Sequence, residues 1–225
     1  MKKYNIYLIS IIFAAFVLLL YIPGAAVAGK ITGAVKVKGL RAPADILVYL
    51  TKAPSVSVDL SKTKFVMDQQ NLTFLPHVLP IPVGATVLFP NNDKVDHNVF
   101  SLSRSNKFNL GSYKPGERKT IRFDKPGIVE LRCDLHAEMI AYILVLQNLY
   151  FAVTDAKGQF EIPDTEYSAK YCIPKIENLP SGKYTVKTWH EKLKTEKQEV
   201  VVPDNGDVSI QWNLTRGTPG VLYKR

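Results

Sequence analysis

The segment Cys133-Asp-Leu-His136-Ala-Glu-Met139 sets a thiolate, an imidazole and a thioether on one short stretch, and His97 supplies a second imidazole from well upstream. The chain holds only four histidines, two cysteines and three methionines, and four of these nine fall in this one constellation. A thiolate and two imidazoles in a trigonal plane, with a thioether as weak axial ligand, make a site for a single copper ion that passes one electron. The expected ligands are therefore His97, Cys133, His136 and Met139, holding one copper per chain as Cu(I) or Cu(II). Two other readings compete. Cys133 could pair with Cys172, since exported chains with two cysteines usually join them, but the histidines and the methionine then have no role. Zinc accepts one cysteine and two histidines with an open fourth position, whereas a soft thioether favours copper.

The elements that must position these groups can be read from the flanking pattern. Gly127-Ile-Val-Glu-Leu-Arg-Cys133 alternates with the period of a strand, so Val129, Leu131 and Cys133 share one face and Glu130 and Arg132 the other. Ala141-Tyr-Ile-Leu-Val-Leu146 is a β-branched, apolar run that reads as a buried strand. The spacing predicts a turn over 134–139 between neighbouring strands, with Cys133 at its entry, His136 at its tip and Met139 at its exit. Upstream, Thr86 to Ser101 reads as a strand, an Asn/Asp turn, and a second strand that His97 opens.

These residues carry a resemblance. The pattern Pro76-x-x-Leu79-x-Ile81-x-x-Gly84-Ala-Thr-Val-x-Phe89-x-Asn91-x-Asp93, then His97-Asn-Val-Phe-Ser101, Tyr113-Lys-Pro-Gly116, Phe123-x-x-Pro126-Gly127 and Cys133-x2-His136-x2-Met139 resembles the cupredoxin family of blue copper proteins over roughly residues 63–147. The short ligand loop is amicyanin-like. The resemblance implies a Greek-key β-sandwich, a mononuclear copper site and electron transfer. It also implies that Asn98, which follows the first histidine, ties the two ligand loops together and presents a backbone N–H to the cysteine sulfur, where hydrogen bonds orient ligands and tune the metal. Between His136 and Met139 this chain has Ala137 and Glu138, where amicyanin-like loops have a proline and a bulky apolar residue. Asp134 follows the cysteine directly. The expected docking loop thus carries two carboxylates, with Glu138 close to the edge of His136.

Elsewhere the chain is punctuated by Gly, Pro, Asn and Asp between short alternating runs, and beyond the N-terminal segment no stretch has a helical period. The fold class expected is all-β, a cupredoxin sandwich plus a second small β-sandwich. Met1-Lys-Lys followed by the apolar run Ile6–Ile22 and the small residues Ala26-Val-Ala28 reads as a signal peptide over 1–28, or as a membrane anchor if it is not cleaved. The implied destination is the periplasm or another exported location. Its removal takes two lysines and no acids from a chain of net charge +9, leaving about +7. The positive charges are scattered rather than striped or interleaved with aromatics, which argues against a nucleic-acid partner.

Ile31–Gly39 and Ile46–Leu50 resemble the opening of a transthyretin-like, carboxypeptidase-regulatory-like β-sandwich. Its continuation comes a hundred residues later, as Thr154-Asp-Ala-Lys-Gly-Gln-Phe-Glu-Ile162 and Leu179-Pro-Ser-Gly-Lys-Tyr-Thr-Val186, with further strands at Gln198–Val202 and Val208–Leu214. The organisation expected is a discontinuous sandwich from 30–60 and 148–216, with the cupredoxin unit 61–147 inserted and a loose tail over 217–225. Residues 165–178 read as a loop insertion carrying Cys172. His77 and His190 read as surface or strand-end residues, and Tyr113 and Trp189 as packing aromatics.

No acid–base pair or substrate pocket is evident, so the expected function is electron carriage rather than enzymatic turnover, with a c-type cytochrome or a dehydrogenase as redox partner. Copper capture and delivery, or an assembly module with structural copper, are the alternatives.

Overall fold

The computed structural model describes residues 29–218 other than 175 and 177, so the expected signal peptide over 1–28 and most of the tail lie outside the described residues. The fold is all-β. The first part of the chain forms β1 (Ile31–Lys38), β2 (Leu47–Leu50), β3 (Phe65–Val66), β4 (Asp68–Gln70), β5 (Thr73–Leu75), β6 (Val78–Pro82), β7 (Ala85–Pro90), β8 (His97–Ser101), β9 (Phe108–Tyr113), β10 (Arg118–Phe123), β11 (Gly127–Arg132) and β12 (Ile140–Leu146). Then follow β13 (Phe151–Val153), β14 (Gln159–Ile162), β15 (Gly182–Trp189), β16 (Lys197–Val202) and β17 (Val208–Thr215), with a short helix α1 (Thr165–Lys170) after β14.

Pairing divides these strands by position in the chain. β6, β12, β11, β8 and β9 lie side by side in that order, facing a smaller sheet ordered β10, β7, β3, and β4 and β5 form a separate hairpin. The two N-terminal strands pair with strands from the C-terminal third. β1 lies between β14 and β17, and β2 lies between β13 and β15, with β16 beyond.

Strand β2 shows why the two halves cannot be separated cleanly. Side chains alternate across a strand. Val48 and Leu50 belong to one core, with Ile31, Val35, Val186, Val200 and Trp212. Leu47 and Tyr49 point the other way, into the core that also holds Cys133, Met139 and Ile143. Phe151 and Trp189 join them on that face. The sheet containing β2 is therefore buried on both faces, and β2 is one continuous run of buried residues. The contact continues in aromatic pairs. Tyr142 of β12 meets Trp189 edge-on at 5.3 Å, Phe65 stacks on Tyr171 at 5.3 Å, and Tyr167 donates its hydroxyl proton to the Pro80 carbonyl.

One expectation is corrected. Residues 165–178 are not simply a loop, because Thr165–Lys170 is helical. Asp164 caps it, accepting from the Tyr167 N–H at 2.8 Å, and a capping carboxylate satisfies an otherwise orphaned donor. Six residues are too few to show a helical period, so the sequence pattern was silent there. The helix places Tyr167 and Tyr171 at the seam between the halves.

A polar clasp also crosses the seam. His77 Nε2 lies 3.1 Å from Glu191 Oε1, and the Glu191 side chain is only 11% exposed. Its other oxygen is 3.2 Å from His190 Nδ1, and Lys192 and Asp45 are the further charges nearby. The hydrogen bond to Glu191 raises the His77 pKa, against the opposing effect of burial. Burial pushes Glu191 up, but the His77 hydrogen bond and the charge of His190 outweigh it and bring the carboxyl to about 2. Burial lowers His190. A raised histidine pKa contributes stability that is complete below about pH 6.5 and is lost as pH rises through the folded value. The Glu191 contribution is present above the ordinary carboxylate range and lost as pH falls toward that depressed value. Calorimetric melting should therefore show Tm falling as pH rises from about 6.5 toward 8, above the range in which the lowered pKa of His190 acts in the opposite sense, and Glu191→Gln should lower Tm and flatten that slope. An unaltered slope in the variant would show that the clasp does not govern it.

Candidate metal centre

Three strand-to-loop junctions converge at one end of the larger sandwich. β11 ends at Arg132, so Cys133 continues its inward face and is buried beside Val129 and Leu131. β8 opens on His97, which is fully buried. The loop from Asp134 to Met139 folds back on itself through a Met139 N–H to His136 carbonyl hydrogen bond of 3.1 Å, and returns the chain as β12. Residues 132 and 140 are cross-strand partners, which fixes how far this loop can reach.

Cys133 Sγ, His97 Nδ1 and His136 Nδ1 come together. The two ring nitrogens are 3.1 Å apart, and the sulfur is 3.9 Å from His97 and 3.7 Å from His136. Among the described residues this is the one group of three such donors within 4.8 Å of one another. A point equidistant from the three atoms lies about 2.1 Å from each, within the range of metal–imidazole and metal–thiolate bonds, about 2.0 to 2.3 Å. The donor triangle has the size of a metal site. Met139 is buried in the same core as Cys133, and His136 is the half-exposed member of the set.

Asn98 links the two loops. Its backbone N–H points at Cys133 Sγ at 3.4 Å, and its side-chain oxygen accepts from the Asp134 N–H at 3.4 Å. Its amide nitrogen donates to Asn109 Oδ1 at 2.9 Å, tying the same residue to β9. Glu138 is exposed on the loop, as are Asp134 and Leu135. Cys172 is exposed and Cys133 buried, and both are free thiols, so no disulfide joins them.

Asp93 stands in the sequence motif, but no role was expected of it. Its Oδ2 accepts from His97 Nε2 at 2.9 Å and from the Leu72 N–H at 2.7 Å. The Leu72 N–H first, and then the His97 ring, hold its carboxyl down at about 2. At neutral pH Asp93 is thus an acceptor only, so His97 carries its proton on Nε2 and leaves the Nδ1 lone pair facing Cys133 and His136. Carboxylate or carbonyl partners fix ligating histidines in this manner. A carboxylate four residues before the histidine was the available signal, but that spacing implies contact only on a helix, and here it lies on a turn.

Tyr113 lies across β8–β9 from His97, and its buried phenol accepts from Gln69 Nε2 and donates to the Phe89 carbonyl at 3.2 Å. Burial pushes its pKa up to about 12. His77 and His190 lie at the seam, not at this site.

No family model matches the chain, and no curated protein matches it. Solved structures resemble part of it. A purple cupredoxin from Nitrosopumilus maritimus is 25% identical over 37% of this chain and all of its own length, with a TM-score of 0.34. A reduced amicyanin variant is 22% identical over 42% of this chain and 97% of its own, with a TM-score of 0.35. A copper-containing nitrite reductase from Thermus scotoductus SA-01 is 28% identical over 51% of this chain, with a TM-score of 0.38, and this chain spans 28% of that enzyme's length.

Asn98 should matter to stability out of proportion to its size. It is buried, with 4% exposure, and removing its side chain strands the Asp134 N–H and unties Asn109. Asn98→Ala should destabilise the chain by about 1 kcal/mol, the net worth of the side-chain hydrogen bonds it removes, measured by urea denaturation. A loss below about 0.5 kcal/mol, the level of an ordinary surface change, would show the tie to be idle.

Proposed function

We propose that the chain is an exported copper protein that carries single electrons, with His97, Cys133 and His136 as the strong ligands and Met139 as the weak one. The observation that carries this reading is the donor triangle, a thiolate and two imidazoles preset at metal-site spacing inside a β-sandwich. Copper, when bound, supplies a one-electron couple. The thioether of Met139 supports copper over zinc, because soft ligands select it.

The protein's part is to hold the donors still. Cys133, His97 and Met139 are buried and anchored at strand ends, so their positions depend little on the oxidation state of whatever they hold. Such enclosure favours carriage over delivery, which needs ligands that an acceptor can reach. It also favours carriage over substrate turnover, because the buried donors leave a partner only the half-exposed His136 ring edge.

On the loop that carries His136, Leu135 is 53% exposed, and Asp134 and Glu138 are exposed with it. The chemistry that fits is a redox protein presenting its own centre among basic side chains, such as a c-type cytochrome or a dehydrogenase. The two outer sheets made from 30–60 and 148–216 fit a transthyretin-like or carboxypeptidase-regulatory-like sandwich that receives the copper unit as an insertion. The strand pairings of β1 and β2 support that reading.

Adding Cu(II) to the purified chain should give an intense visible thiolate-to-copper band. Cys133→Ala should abolish it while far-UV circular dichroism stays that of a β protein, and Cys172→Ser should leave it unchanged. A wild-type chain that binds copper without a visible band would overturn the thiolate assignment.

Glu138 offers a second check. A carboxylate near the site favours the more highly charged Cu(II), so Glu138→Gln should raise the reduction potential by less than about 59 mV, a tenfold change in the one-electron equilibrium. The colour should not change. The shift should shrink with added salt, since the group is exposed. Voltammetry at low and high ionic strength measures both effects.

A further inference from the structure

The β4–β5 hairpin is bound to the loop that precedes His97 by three sets of hydrogen bonds. Asn92 Nδ2 donates to both carboxylate oxygens of Asp68, at 3.0 and 3.1 Å. The fully buried Gln69 side chain donates to the Pro90 carbonyl at 2.8 Å and to the Tyr113 hydroxyl. At the hairpin tip the Leu72 N–H donates to Asp93 Oδ2, the same oxygen that accepts from His97 Nε2.

The tip is not shaped by packing. Asn71 and Leu72 both occupy the left-handed region, at φ 51° and 57°. Asparagine is tolerated there, but leucine is uncommon, and a two-residue turn of this kind is more easily filled by Asn-Gly. The Leu72 side chain is 49% exposed, so burial does not hold it in place. What the conformation achieves is to aim the Leu72 N–H at Asp93.

We propose that the β4–β5 hairpin is a clamp on the His97 side of the centre, in which Leu72 and Asp93 act as positioning residues by sharing one carboxylate oxygen between a backbone N–H and the ring N–H. The shared oxygen fixes the ring plane of His97 and keeps its Nδ1 lone pair on the donor triangle. It also divides the carboxylate's pull. With the Leu72 N–H in place, less negative charge is directed at the ring proton, and the imidazole is a weaker electron donor than a carboxylate acting alone would make it. The two residues therefore act in opposite directions on the strength of His97 as a ligand.

The functional consequence rests on the copper reading, but the clamp can be tested without metal. In the ¹⁵N-labelled apo chain, both the Leu72 amide proton and the His97 Nε2 proton should exchange slowly with solvent, although the hairpin tip is exposed. Asp93→Ala should speed both by at least about tenfold together, the loss of one good hydrogen bond each. Leu72→Gly keeps the N–H and accepts the left-handed backbone, so it should leave both protected. Deleting Asn71 and Leu72 removes the first of these protons and should speed exchange of the second, on His97 Nε2, because Asp93 then loses the N–H that fixes it. With copper bound, Asp93→Ala should raise the reduction potential and the deletion should lower it, each by up to about 59 mV, a tenfold change in the one-electron equilibrium.

A Leu72 amide that exchanges in the intact chain as freely as its exposed neighbours overturns the clamp. So does an Asp93→Ala variant in which only one of the two protons responds. Should the deletion variant fail to fold, the intact chain, Asp93→Ala and Leu72→Gly still decide the matter. Protected protons in a chain that takes up no copper would sink the copper reading and leave the clamp standing.

Discussion

Two loops that leave a sheet on different strands have to deliver their donors to one point, and the residue that makes them meet is Asn98. It sits one position after the buried His97 on β8, yet its backbone N–H faces the Cys133 sulfur and its side chain holds the Asp134 N–H. One residue thus sets the spacing between both sources of ligand. The donors carry lone pairs that have no reason to crowd together by themselves. Their approach to within 3.1 to 3.9 Å is imposed by the scaffold. Everything behind the site serves to keep Asn98 and its two strands from moving apart.

That rigidity comes from burial on both sides of the central sheets. The five-stranded sheet that carries the donors is covered within by its smaller partner, and at its β6–β12 end it is covered without by the sheet of β2, β13 and β15. A single small sandwich has one core and a solvated outer face. Here Leu47 and Tyr49 point into one core and Val48 and Leu50 into the other, so ordering one half orders the other. Tyr142 shows the link on the scale of one residue. It lies two positions past Ile140, the cross-strand partner of Arg132, and touches Trp189 from the C-terminal third of the chain. A displacement of β15 is felt at the root of the ligand loop.

The strands of the larger sandwich and the three donors His97, Cys133 and His136 were legible because both depend on short-range spacing. Alternation placed Val129, Leu131 and Cys133 on one buried face, and the same period marked β1 and β17. What stayed hidden depends on contacts that spacing does not encode. The run Ile46–Leu50 is apolar at every position, so its period is lost, and with it the fact that it serves two cores. The helix α1 is too short to show a period. His77 and Glu191 are 114 residues apart, and nothing local to either marks a partner. Asp93 was present in the motif that signalled the strand before it, but its role follows from the turn's shape and from a hairpin whose tip looks unremarkable as sequence.

The distribution of charge bears on how such a centre meets other molecules. The chain as a whole is basic, with a formal net charge of +9, yet the loop that carries His136 has the exposed carboxylates of Asp134 and Glu138, and Asp96 is exposed on the loop before His97. Net charge governs attraction at distances beyond the Debye length, about 10 Å at moderate salt, only when salt is low, while charges at the contact act within it. An acidic partner would be drawn toward the molecule at long range and repelled at the mouth. A partner whose own redox centre is ringed by lysines and arginines would be turned mouth to mouth as it came close. The asymmetry therefore selects orientation more than affinity, as charge complementarity generally does. With His97 and Cys133 buried, His136 is the member of the donor triangle that reaches solvent, so on the proposed function the exposed carboxylates of its loop would bias which face of a partner arrives there.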